Sequence, residues 1–149
     1  MKSIGSTLGY VGGSLLIITG IIAIIFWGFL EGLLPNNSQI IIAFLDYIIS
    51  SGYLNAYGLS MFLTFMWGIM ALIAVKMKKK FLLFGNIMLV IVGLIASILI
   101  FIPIRSTVLL DLGSDIIIPL PAVKLSMTYI FVDPFLILIG GIIGIYKKN

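Results

Sequence analysis

Apolar residues fill three long runs along the chain, at 8–30, 56–75 and 81–102. Each holds roughly the twenty residues that an α-helix needs to cross a hydrocarbon core about 30 Å thick, so each predicts a transmembrane helix. Lys2 ahead of the first run gives it the look of a signal peptide. The run is too long for the apolar region of one, and no small-x-small cleavage pattern follows Ile25, so it reads as an uncleaved signal anchor. Only the basic turn 76–80 separates the second run from the third, which forces an antiparallel hairpin of neighbouring helices. Pro103 stops the third.

The fourth run is less regular. Residues 134–146 reach under about 20 Å at about 1.5 Å per residue and fall short of the core thickness. Either the helix begins near Met127, giving a span over 127–146, or a short helix crosses with its outer end covered by protein. In the first case Asp133 lies about 9 Å inside the apolar zone with Pro134 kinking the helix. In the second Asp133 is an N-cap carboxylate with proline at N1.

The segments between these runs, 31–55 and 103–126, are also partly apolar. Residues 40–49 are too few to span and suit an interfacial or re-entrant helix, with a turn at Pro35-Asn36-Asn37 and an N-cap at Ser38. Thr107-Val108-Leu109-Leu110, Gly113-Ser114-Asp115 and Ile116-Ile117-Ile118 read as a hairpin of two short strands, ended by Pro119 and Pro121. Together the two segments predict a cap over one end of the helices.

Composition sharpens the class. With 62% hydrophobic and 9% charged residues, the chain has too few polar groups to coat a water-soluble domain. Charge orients it. Lys2, Lys76, Lys78, Lys79, Lys80, Lys147 and Lys148 alternate across the runs with Glu31, Asp46, Asp111, Asp115, Asp133, Arg105 and Lys124. Lysine-rich short loops stay in the cytoplasm, so the 76–80 turn and both termini are expected there and the carboxylates outside. The Lys76, Lys78, Lys79 and Lys80 cluster either sets this topology alone or also meets anionic lipid headgroups.

Cysteine and histidine are both absent, which removes thiolate chemistry, disulfides and the commonest metal ligand and general base. No paired carboxylates, phosphate-cradling glycine loop or basic-aromatic surface for nucleic acid occurs, so neither enzyme activity nor a cofactor nor a nucleic-acid partner is expected. Gly113-Ser114-Asp115 only faintly matches the Gly-x-Gly-Asp of intramembrane aspartyl proteases. Asn36-Asn37-Ser38 forms a glycosylation sequon.

Small residues recur at helical spacing in each run: Gly5, Gly9 and Gly13; Ser60, Thr64 and Gly68; Gly93 and Ser97; Gly140 and Gly144. In lipid such positions allow close backbone approach, either within the chain's own bundle or against another membrane protein or a second copy. Gly28 and Gly32 are harder to place inside a bundle. Phe26, Trp27, Phe29, Tyr53, Tyr57, Phe101, Tyr129 and Phe131 at one end and Phe81, Phe84 and Tyr146 at the other suit interfacial belts. Trp67 lies deeper, and Asn86 is a potential partner for its indole N–H. Asp133 is the ionisable group at membrane depth. Arg105 could pair with it, or it could carry a proton or bind a cation.

The Gly-rich start (Leu8-Gly9-Tyr10-Val11-Gly12-Gly13), the lysine turn leading into Phe84-Gly85-Asn86-Ile87-Met88, and the closing Gly140-Gly141-Ile142-Ile143-Gly144-Ile145-Tyr146-Lys147-Lys148 carry a resemblance. The chain resembles small four-span membrane proteins of unknown function from bacteria and archaea. Its layout is also similar to claudin-type tetraspans, but their paired tryptophans and cysteines in the first outer loop are missing. The expectation is an all-α, four-transmembrane-helix bundle in the cell membrane with an extracytoplasmic cap. Its expected role is that of a non-enzymatic structural or accessory subunit, contacting lipids and other membrane proteins or itself. The alternative is a small transporter or channel component using Asp133.

Overall fold

The computed structural model describes residues 4–32, 52–105, 108–111, 117–120, 122–126 and 132–146. It holds four helices: α1 (Ile4–Gly32), α2 (Tyr53–Met77), α3 (Leu82–Leu99) and α4 (Asp133–Tyr146). The first three are long and apolar enough to cross a membrane, whereas α4 has only 14 residues. The predicted helix over 40–49, the Asn36 sequon, the 113–115 turn, Lys2, Lys147 and Lys148 all lie outside the described residues.

Local chemistry sets the helix ends. Gly52 precedes α2 with φ 70, a left-handed conformation that suits glycine, and its carbonyl accepts the Ala56 N–H at 3.1 Å. At the other end Lys80 and Phe81 donate to the Met77 carbonyl at 3.0 and 2.8 Å, closing the turn that leads directly into α3. The third helix ends at Leu99, earlier than Ile102. Its last residues tighten into i to i+3 bonds, Phe101 to Ile98 and Ile102 to Leu99, because Pro103 disfavours helical backbone just before it.

The helices pack in a ring, α1 on α2, α2 on α3, α3 on α4 and α4 on α1. Neighbours run antiparallel: Gly5 faces Gly140 and Gly144 while Gly12 faces Asp133 and Ile137, and Gly9 faces Val75 while Gly20 faces Phe65. Leu16, Ala71, Ala74, Leu89, Val92 and Ile137 form the core between them. The perimeter is apolar as well. Ile18, Ile22, Phe62, Ile91, Leu94, Ile98 and Ile139 are all exposed, an arrangement whose natural solvent is lipid rather than water.

Between α3 and α4 the chain forms four short strands. The predicted hairpin is present: β2 (Val108–Asp111) pairs antiparallel with β3 (Ile117–Leu120), Val108 opposite Leu120 and Asp111 opposite Ile117. Pro119 sits within β3 instead of ending it. The ladder has only two strands, so each has a free edge on which the missing proline N–H costs nothing. Outside this hairpin β1 (Pro103–Arg105) pairs with β4 (Val123–Lys124), and Leu125 donates to the Ile102 carbonyl at 2.9 Å. Beta structure therefore joins the helices, and both β1 and β4 contact α2.

Candidate functional site

Glycines decide how closely the helices meet. A Cβ on Gly5 would come 2.5 Å from the Gly140 carbonyl oxygen, and one on Gly140 would come 2.7 Å from that of Gly5, so α1 and α4 touch backbone to backbone. Gly13 and Gly68 form the same reciprocal contact between α1 and α2, at 3.2 and 2.9 Å from each other's carbonyls. Gly93 lies against the Leu138 backbone, Gly9 against Leu89 and Val75, and Gly144 against the side chains of Asn86 and Lys78. Gly9, Gly13, Gly68, Gly93, Gly140 and Gly144 are thus all consumed within the chain. Gly28 is different: nothing stands within 4 Å of its missing side chain.

Asp133 is completely buried at the start of α4. The Val132 carbonyl accepts the Leu136 N–H at 2.9 Å, so Asp133 lies in the first turn, one position inside the cap that the Asp-Pro pair suggests. A carboxylate there stands at the positive end of the helix dipole. Of the two alternatives for α4, the start near Met127 does not form, because Val132 already precedes the helix. Gly12 makes the burial feasible: a Cβ there would come 2.6 Å from the Asp133 carbonyl oxygen and 2.8 Å from Ile137. The main chain of Arg105 is in β1, opposite Val123. Its side chain, and hence its pairing with Asp133, lies outside the described residues.

Sequence reasoning passed over the segment 122–126. Val123 and Ser126 are buried, and the Ser126 hydroxyl stands 3.5 Å from that of Thr64 on α2. Thr64 also donates to the Ser60 carbonyl at 2.8 Å, one turn earlier. Ser60, Thr64, Ser126 and Asp133 are therefore all buried polar residues, of which only Asp133 is charged. Ser97 and Thr19 instead return their hydroxyls to their own helices, at the Gly93 and Leu15 carbonyls.

At the lysine end a second polar group is enclosed. Asn86 is buried and donates from Nδ2 to the Gly144 carbonyl at 2.7 Å, fastening α3 to the last turn of α4. It does not pair with Trp67, whose Nε1 is buried in α2 without a hydrogen-bond partner among the described residues while the ring packs on the core. The lysine cluster divides. Lys76, Lys79 and Lys80 are exposed, but Lys78 is only 7% exposed and turns inward. Gly85 permits this, since a Cβ there would come 2.7 Å from the Lys78 backbone nitrogen and 2.8 Å from its Cγ. Burial pushes the Lys78 ammonium below the ordinary lysine range. The inward turn was available in the sequence: Ser60, Thr64, Gly68, Ala71, Ala74 and Lys78 form one buried stripe at helical spacing.

No protein-family model, curated protein or solved structure matches this chain.

Proposed function

We propose that the chain is a four-span membrane protein and a small transporter or channel component that binds a proton or a cation at Asp133. Its lysine turn and both termini face the cytoplasm, and the segments around β1 to β4 form a cap on the other side. The observation that carries this reading is the burial of Asp133 at the start of a half-length helix. No charged residue occurs in α1 before Glu31, in α2 before Lys76 or anywhere in α3, so Asp133 is the one charge that the helices carry inward from the bundle ends. Gly144, beside Lys78, marks the inner boundary. Asp133 lies about 16 Å further along α4 at 1.5 Å per residue, close to the middle of a core about 30 Å thick.

Ahead of Asp133 in the chain, β4 contacts α2 and the Ser126 hydroxyl meets that of Thr64. A helix that starts at the bilayer midplane is also how secondary transporters present binding groups. Ser60, Thr64 and Ser126 are further buried polar residues among those described. Flux of protons or monovalent cations in proteoliposomes tests the reading. Asp133→Asn should abolish a flux that the wild-type chain supports, with folding unchanged. Equal flux in both, or none in the wild type, would refute it.

One observation favours a second reading, a structural or accessory subunit. The outer half of α1 presents Ile25 at 65% and Phe29 at 62% exposure, on either side of the open Gly28. That face could pack on another membrane protein or a second copy. Gly28→Leu should then abolish co-purification of the partner from native membranes in mild detergent, while thermal stability is unchanged.

A further inference from the structure

We propose that Lys78 and Asn86 form a site for a phosphate oxygen at the inner boundary of the bundle, supplied by an anionic lipid headgroup or by free phosphate. It stands apart from Asp133 and does not depend on that site's activity. The Lys78 Nζ and the Asn86 Oδ1 are both buried and have no hydrogen-bond partner among the described residues. They converge on one point. A Cβ on Gly144 would lie 2.9 Å from the Lys78 Nζ and in contact with the Asn86 Oδ1, so the two atoms meet over the bare glycine. The Asn86 Nδ2 is committed to the Gly144 carbonyl, which fixes the amide with its oxygen toward this point.

A buried ammonium without a partner is costly, and among the described residues no carboxylate stands at this end: Glu31 lies near the far end of α1, Asp111 in β2 and Asp133 at the start of α4. An anion from outside the described residues would complete its bonding. A phosphate group matches both atoms, because an ionised oxygen accepts from the ammonium and a protonated phosphate or headgroup hydroxyl donates to the amide oxygen. Lys79 and Lys80, exposed in the same turn, supply the electrostatic approach from the headgroup layer.

Thermal stability and native mass spectrometry of the full chain test this in nanodiscs of phosphatidylcholine alone, of phosphatidylcholine with phosphatidylglycerol, and of phosphatidylcholine with added inorganic phosphate. Retained phosphatidylglycerol and a raised melting point in the second disc alone assign a lipid headgroup. The same shift with inorganic phosphate assigns free phosphate, and no shift in either refutes the site. Lys78→Met should weaken the binding by about tenfold to a hundredfold, the size of one lost charge-assisted hydrogen bond. The double variant Lys79→Gln with Lys80→Gln should retain most of it. If that double variant loses as much as Lys78→Met, only diffuse surface charge is at work and the site is refuted. Asn86→Leu, which removes the amide oxygen and leaves the ammonium, is the second variant, and unchanged affinity in it also counts against the site.

Discussion

Gly93→Ala is expected to destabilise the bundle even though alanine is the better helix former. The added methyl would lie 2.7 Å from the Leu138 Cα and 2.9 Å from its Cβ, where ordinary contact begins near 3.4 Å. The obstacle is backbone, with the Leu138 nitrogen nearest of all, so no side-chain rotation relieves it, and α3 and α4 must part by roughly 0.7–1 Å. A gap of that size forfeits roughly a quarter to a half of each dispersion contact along the seam. Overpacking against backbone belongs near the upper end of the usual 1–3 kcal/mol, and the helix preference of alanine over glycine returns about 1, leaving a net loss of about 2 kcal/mol. Gly28→Ala is the matched control. It gains the same helix preference with nothing within 4 Å to strike, so it should be neutral or stabilising by up to about 1 kcal/mol. Reversible unfolding in mixed micelles of increasing dodecyl sulfate content, followed by tryptophan fluorescence, measures both. If the two variants unfold at the same detergent fraction, the backbone contact between α3 and α4 is not as close as the structure has it.

Four further outcomes follow from the lysine end. In uncharged detergent without anionic lipid, Lys78→Met should stabilise the protein at neutral pH, since a buried polar head without a partner among the described residues is replaced by an apolar side chain. Because burial lowers the folded-state pKa of Lys78, the folded chain releases this proton before the unfolded one does. The wild type should therefore gain stability as pH rises from that lowered value toward the ordinary 10.5, a gain that unfolding midpoints against pH would show missing in Lys78→Met. Asn86→Leu removes the 2.7 Å bond to Gly144 and should cost about 0.5–2 kcal/mol by the same unfolding assay. Finally, a cysteine in place of Lys79 should resist a membrane-impermeant thiol reagent on intact cells and react after permeabilisation; labelling of intact cells would reverse the topology.

The long helices were legible because their cause is local: each needs enough consecutive apolar residues, and 8–30, 56–75 and 81–102 supply them. Their ends moved by a few residues for equally local reasons, Gly52 at the start of α2 and Pro103 after α3. The hairpin was legible from its turn residues and apolar flanks. What the sequence left open was the start of α4, and the reason is that both alternatives satisfy Asp133 and Pro134 individually. The choice is made on the facing helices, where Gly12 and Gly93 offer bare backbone that lets the first turns of α4 seat against α1 and α3. Such a contact joins residues far apart in the chain and has no local signature.

The same distinction resolves the small-residue stripes, which spacing alone cannot assign to an internal or an external face. Reciprocal contacts, Gly5 with Gly140 and Gly13 with Gly68, are the signature of an internal seam, because each glycine is needed only if the other helix carries one too. Had these glycines been reserved for a partner, a Cβ on them would have met open space, as it does at Gly28. Among the described helical glycines that space is open at Gly28 in α1 and Gly58 in α2, so assembly through a helical glycine falls to those two positions. A leucine at Gly140 would break the protein itself and could not report on partners. A leucine at Gly28 leaves the bundle intact, so loss of a copurifying chain there would identify an interface and not a folding defect.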